Sequence, residues 1–161
     1  MNSVVPSCTQ VVTSGTDLDP GLTELKDWET RQTILLVEDE PFVRNAVAEA
    51  LRAAGYSVLI ASNGTEALEI QRNRTETERI DLLLTDIVMP GGDGHELAQK
   101  VLALSPHTEV LLMSGHEEQV IRCEQSPEGI GYLAKPFSIQ TLLQRVRGLL
   151  SNRCCRQQMP A

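Results

Sequence analysis

Five short apolar runs recur between residues 33 and 150 of this 161-residue chain, each followed by a stretch of different periodicity. The runs are Ile34 to Val37, Ser57 to Ala61, Leu82 to Thr85, Val110 to Met113 and Tyr132 to Ala134. They have the length of strands and lack apolar–polar alternation, as expected of a parallel sheet covered on both faces. The intervening stretches read as helices. Pro41 stands at a first helical position, and Val43, Val47, Ala50, Leu51 and Ala54 share one face until Gly55 stops the run. Asn63 with Glu66 makes a capping pair for a second helix, and Leu97, Val101 and Leu104 mark a third that ends before Pro106. A fourth, short and weakly patterned, follows His116. Ser138 caps a fifth, striped by Ile139, Leu142, Leu143, Val146 and Leu150. Five strands alternating with five helices predict an α/β fold, a doubly wound (βα)5 five-stranded parallel sheet with right-handed crossovers.

Outside this region the pattern lapses. Residues 1–31 are rich in Ser, Thr, Asp, Gly and Pro and read as a flexible leader, with Trp28 as its one large aromatic residue. Residues 151–161 read as a flexible tail, which leaves 32–150 as the domain. The net charge of −8, from 14 basic and 22 acidic residues, argues against a nucleic-acid partner and suits a cation or a basic protein surface. Cys8, Cys123, Cys154 and Cys155 form no CxxC pair and have no neighbouring His at metal-ligand spacing, so reduced thiols are expected. With no long apolar run and no signal segment before Cys8, a cytoplasmic protein without a membrane partner is expected.

Function is sought at the strand ends, because ligands of doubly wound sheets bind beyond the carboxyl ends of their strands. Glu38, Asp39 and Glu40 follow the first run, Asp86 the third, Ser114 the fourth and Lys135 the fifth. Taken singly, each has an ordinary structural explanation. Acids after a strand often cap the next helix, Asp86 could brace the turn before Met89-Pro90, Ser114 could be a turn serine, and Lys135 a solvated loop lysine. His95, His107 and His116 carry no mark of ligands. Together, however, clustered carboxylates repel one another and call for a cation, and hard oxygen donors suit Mg²⁺. A hydroxyl and an ammonium opposite them can bind phosphoryl oxygens, with Asp86 as nucleophile.

The segments ILLVEDE, LLLTDIVMPGGDG, LLMSG and GYLAKPF resemble, in order and spacing, the signature segments of response regulator receiver domains, over residues 33–150. Their wording is similar to receivers of hybrid sensor kinases and to stand-alone response regulators. The resemblance implies a flavodoxin-like sheet of strand order 2-1-3-4-5 and a two-component phosphorelay role. It implies that Asp86 is phosphorylated from a phosphohistidine, carried by a histidine kinase or histidine phosphotransfer protein. It further implies that Asp39, Asp86 and the backbone carbonyl of Val88 ligate Mg²⁺, with Glu38 assisting through water. Ser114 and Lys135 contact the phosphoryl oxygens, Tyr132 is the switch residue, and the Lys135–Pro136 bond is cis. The switch then alters the face built by the fourth helix, fifth strand and fifth helix, which an unknown downstream protein reads. Such a domain is a phosphoacceptor that assists its own phosphorylation and dephosphorylation, and is not counted as an enzyme. Glu38 stands where many members have Asp, and Gly92 replaces a usual Met, which implies a looser loop after Asp86. The residues flanking the domain are too few for a DNA-binding output module, so none is expected.

Other readings fit less well. A flavin-binding module needs a Ser/Thr/Gly-rich phosphate loop where Glu38-Asp39-Glu40 stands. An Asp-nucleophile phosphatase wants a second carboxylate where Val88 stands. A scaffold that is never phosphorylated has no need of Asp39, Asp86, Ser114 and Lys135 together.

Overall fold

A computed structural model of the protein describes residues 31–115 and 130–156. Among these, five strands form one parallel sheet: β1 (Thr33–Val37), β2 (Ser57–Ala61), β3 (Leu82–Asp86), β4 (Glu109–Ser114) and β5 (Ile130–Ala134). Their order across the sheet is β2-β1-β3-β4-β5, the flavodoxin-like order 2-1-3-4-5. The helices are α1 (Pro41–Ala53), α2 (Gly64–Arg72), α3 (Gly94–Leu104) and α4 (Ile139–Arg156). The helix expected after His116 falls outside the described residues, as do the leader and Trp28.

The missing apolar–polar alternation has a direct cause: successive side chains of each strand enter two different cores. Leu35, Val37, Leu83, Val110, Leu112 and Tyr132 pack with Ala67 of α2 and Leu97, Ala98 and Val101 of α3. Ile34, Leu36, Leu82, Leu84, Leu111, Met113 and Leu133 pack on the other side, with Val47, Ala48 and Leu51 of α1 and Leu142, Val146 and Leu150 of α4. Both faces are covered along the inner strands, so both registers are apolar there, while the edge strand β2 leaves Ile60 exposed.

Local signals set the helix ends. Pro41 opens α1, and Gly55 closes it at φ +98°. The Gly55 N–H donates to the Arg52 carbonyl and the Tyr56 N–H to the Leu51 carbonyl, a Schellman closure that only a residue tolerant of positive φ completes cheaply. At α2, Asn63 Oδ1 accepts from the Glu66 N–H at 2.9 Å, and the Glu66 carboxylate accepts from the Ser62 N–H and hydroxyl at 2.7 Å. These bonds hold the Glu66 carboxyl below its usual range. Asp93 caps α3 through the His95 N–H, and Ser138 Oγ accepts from the Thr141 N–H ahead of α4. Residues 151–156, expected as part of a tail, continue α4.

Leu84 lies in the middle of β3 with no exposed surface. Leu84→Ala is expected to lower the unfolding free energy by about 2–5 kcal/mol through lost burial and the cavity left behind. Urea denaturation of the two proteins measures this, and a loss well below that range would contradict the close packing described.

Candidate functional site

Because the strands are parallel, their carboxyl ends deliver the acidic, hydroxyl and ammonium groups to one edge. Glu38 directly follows β1. Its N–H bonds the Ala61 carbonyl at 3.2 Å, which extends the β1–β2 ladder by one step, and the residue is only 2% exposed. Asp39 beside it is exposed. Asp86 closes β3 in the neighbouring position, and its Oδ1 accepts from the Val88 N–H at 3.2 Å. Glu38, Asp39 and Asp86 each present a carboxylate oxygen, all within 4.8 Å of one another.

Lys135 arrives from the end of β5. Its N–H donates to the Ser114 carbonyl at 2.7 Å, and its bond to Pro136 is cis. The ammonium lies 2.6 Å from Asp86 Oδ2 and 2.9 Å from Glu38 Oε2. Sequence reasoning sets Lys135 across from the carboxylates; in the structure it sits between two of them. The repulsion that calls for a cation is therefore met in part by the chain's own ammonium.

The electrostatics follow from this arrangement. Burial is the largest influence on Glu38 and raises its carboxyl above the usual range, although Lys135 pulls the other way. For Lys135, burial pulls the ammonium down, but hydrogen bonds and charge from Asp86 and Glu38 outweigh it and leave it raised. Lys135 thus remains an ammonium at neutral pH. With that charge in place, the three carboxylates still offer hard oxygen donors close enough together that the group could hold a metal ion.

Ser114 closes β4 and is buried. Tyr132 is 7% exposed, packed in the core on the α2–α3 side, with its ring centroid 6.0 Å from that of His95. In register, Leu112 pairs with Tyr132 and Ser114 with Ala134, so strand parity puts Ser114 and Tyr132 on the same face of adjacent strands.

The segment after Asp86 is a short antiparallel hairpin, Val88–Met89 against Gly92–Asp93. Pro90 and Gly91, at φ +78°, fill its two central positions, the signature of a type II turn. A side chain at Gly92 would meet nothing within 4 Å. Val88 is 64% exposed on this hairpin.

Sequence reasoning missed Gly94. A Cβ at this first residue of α3 would overlap the carbonyl oxygen of Asp86 and lie 2.8 Å from Cα of Ile87. The Gly94 N–H also donates to the Ile87 carbonyl at 2.8 Å. The Asp93-Gly94 pair at a helix start was the available signal, since a glycine directly after the cap often marks close backbone approach. Gly94→Ala is expected to destabilise the domain by about 1–3 kcal/mol, because the neighbour that must give way is backbone. Amide shifts of Asp86 and Ile87 should move with it, and unchanged shifts would show that the contact does not position Asp86.

Comparison with known proteins places these observations in a family. The model of the response regulator receiver domain matches residues 34–147. The chain is 36% identical over 119 residues to the sensor kinase CckA of Brucella abortus, covering 73% of this chain and 12% of that protein. It is 35% identical over 118 residues to the response regulator receiver protein CpdR of the same organism, covering 73% of this chain and 95% of that one. Among solved structures, the receiver domain of the hybrid histidine kinase CckA matches with 41% identity and a TM-score of 0.61, covering 73% of this chain and 98% of the other.

Proposed function

The chain belongs to the response regulator receiver domain family of two-component systems, and from that premise we propose that Asp86 accepts a phosphoryl group from a phosphohistidine donor. The donor is a histidine kinase or a histidine phosphotransfer protein. The observation that carries this reading is the Lys135 ammonium, 2.6 Å from Asp86 and 2.9 Å from Glu38 beside a three-carboxylate cluster. A carboxylate so placed is aligned, charge-compensated and reachable from solvent.

Asp39, Asp86 and the carbonyl of Val88 would hold Mg²⁺ directly, with Glu38 assisting through water. When bound, the ion supplies charge neutralisation and anchorage for the phosphoryl oxygens. The chain's own residues do the rest. A carboxylate oxygen of Asp86 attacks phosphorus, a P–O bond forms, the P–N bond to the donor imidazole breaks, and its electron pair returns to the imidazole nitrogen. Lys135 exchanges part of its contact with Asp86 for a phosphoryl oxygen, and the Ser114 hydroxyl donates to another. Later attack of water at phosphorus releases phosphate and restores the Asp86 carboxylate. The chain is thus a phosphoacceptor that assists both steps rather than an enzyme acting on a separate substrate. As Ser114 approaches the phosphoryl group, Tyr132 on the same sheet face adjusts, and a downstream protein reads the changed surface. No described helix is long and apolar enough to cross a membrane.

Asp86→Asn tests the assignment. Incubated with Mg²⁺ and a small phosphodonor, the wild type should gain one base-labile phosphate by mass, and the folded variant none. Phosphate persisting on the variant would put the acceptor elsewhere.

A donor protein must approach the same edge. Phe42 at 86% exposure, Val88 at 64% and Ile139 at 46% stand on segments that follow β1, β3 and β5. They provide an apolar rim for a donor surface. Phe42→Ala is expected to slow transfer from a phosphohistidine protein by about tenfold, the effect of one interface anchor. Its phosphorylation by the small phosphodonor should be unaltered; equal slowing of both reactions would exclude the docking role.

A further inference from the structure

We infer that Arg44 is a positioning residue that holds the acidic loop in its cation-binding shape by gripping backbone carbonyls from below. The inference rests on the Mg²⁺ reading above. Arg44 lies one turn into α1 and is half-buried. Its Nη1 donates to the carbonyl oxygen of Glu38 at 2.8 Å and to that of Asp39 at 3.3 Å. Its own N–H donates to the Glu40 carbonyl at 2.9 Å. The bond to Glu40 is the first i→i−4 backbone bond of α1 and would survive substitution, while the side chain engages the carbonyls of Glu38 and Asp39. It does so from a helix anchored in the core by Val47, Ala48 and Leu51.

The contrast with Lys135 defines the role. Lys135 neutralises carboxylate oxygens, the same atoms a metal ion would use. Among the described residues, the ion pairs include none between Arg44 and Glu38, Asp39 or Asp86. Arg44 leaves their oxygens available and fixes the peptide planes that carry them. Orientation is what an exposed side chain such as Asp39 lacks on its own. Supporting contacts of this kind commonly change metal affinity by about 10–100-fold when removed.

Two physical effects of removing Arg44 have opposite signs, which makes the test sharp. Loss of a positive charge near a cation site tightens Mg²⁺ binding by Coulomb's law. Loss of the carbonyl grip weakens it. The full chain is titrated with MgCl₂ by calorimetry at constant ionic strength, as wild type, Arg44→Gln and Arg44→Lys, with amide shifts of Asp39 followed in parallel. The positioning role gives Arg44→Gln about tenfold weaker binding. Arg44→Lys keeps the charge but shortens the reach of the one nitrogen, Nη1, that makes both carbonyl bonds, so it should show a smaller loss, with Asp39 shifts displaced in both variants. Arg44→Gln binding more tightly than wild type, or as tightly with the Asp39 shifts unmoved, overturns the inference and leaves the metal reading intact. A wild type that binds no Mg²⁺ overturns both. If Arg44→Gln does not fold, Arg44→Lys decides: affinity equal to wild type despite displaced Asp39 shifts overturns the positioning role.

Discussion

One ammonium holds the functional edge together. Adjacent parallel strands lie about 4.8 Å apart, so the residue after β1 and the last residue of β3 cannot avoid each other. Both are acids, and Glu38 is buried. Two carboxylates so close in a partly dry crevice are mutually destabilising. Lys135 bonds to both and relieves the conflict, while its backbone stays tied to Ser114 at the end of the sheet. Burial works against charge on Glu38 and on Lys135 alike, yet the outcomes differ. Burial prevails at Glu38 and raises its proton affinity, whereas two carboxylate partners prevail at Lys135 and keep it charged.

Strand parity then divides labour between the two faces of the sheet. Asp86 continues the register of Leu82 and Leu84, which face α1 and α4, and Lys135 continues that of Leu133. Ser114 continues the register of Val110 and Leu112 and shares the α2–α3 side with Tyr132. Asp86 and Lys135 thus meet on one side of the edge, while the hydroxyl and the aromatic ring line up on the other. Under the proposed function, a change at Asp86 that draws on Ser114 would pass directly to the opposite core. No long chain of contacts is required, only one strand end whose consecutive residues look both ways.

Much of this was legible in the sequence because it depends on local chemistry. The strand-length apolar runs, Pro41 and Gly55 at the ends of α1, the Asn63 and Glu66 cap, and the acids, serine and lysine after four strands all express one-residue or one-turn preferences. What escaped depends on where distant backbone comes to lie. Gly94 is required by the approach of α3 to Asp86, and its neighbour Asp93 signals a helix start without naming the backbone that comes close. Arg44 looks like any half-solvated helix arginine until the carbonyls of Glu38 and Asp39 are seen above it. The position of Lys135 among the acids depends on how far its side chain reaches from β5 towards β1 and β3. Strand composition does not encode that reach.

The charges of the crevice explain why a lysine and a divalent cation can both belong to the proposed reaction. When ionised, Glu38, Asp39 and Asp86 carry three negative charges, and Lys135 supplies one positive charge among them. The remaining double negative charge matches a single divalent ion, so the loaded site is close to neutral and an incoming phosphoryl group is not repelled. Converting the Asp86 carboxylate into an acyl phosphate replaces one negative charge with about 1.5–2 at neutral pH, by analogy with other phosphorylated side chains. The site then carries excess negative charge that neither the ion nor Lys135 was matched to balance. Hydrogen-bond donors at its margin feel that excess, and Ser114 is the buried hydroxyl at the end of the adjacent strand. In the proposed reaction, near-neutrality beforehand would let the donor approach, and the imbalance afterwards would supply the force on Ser114.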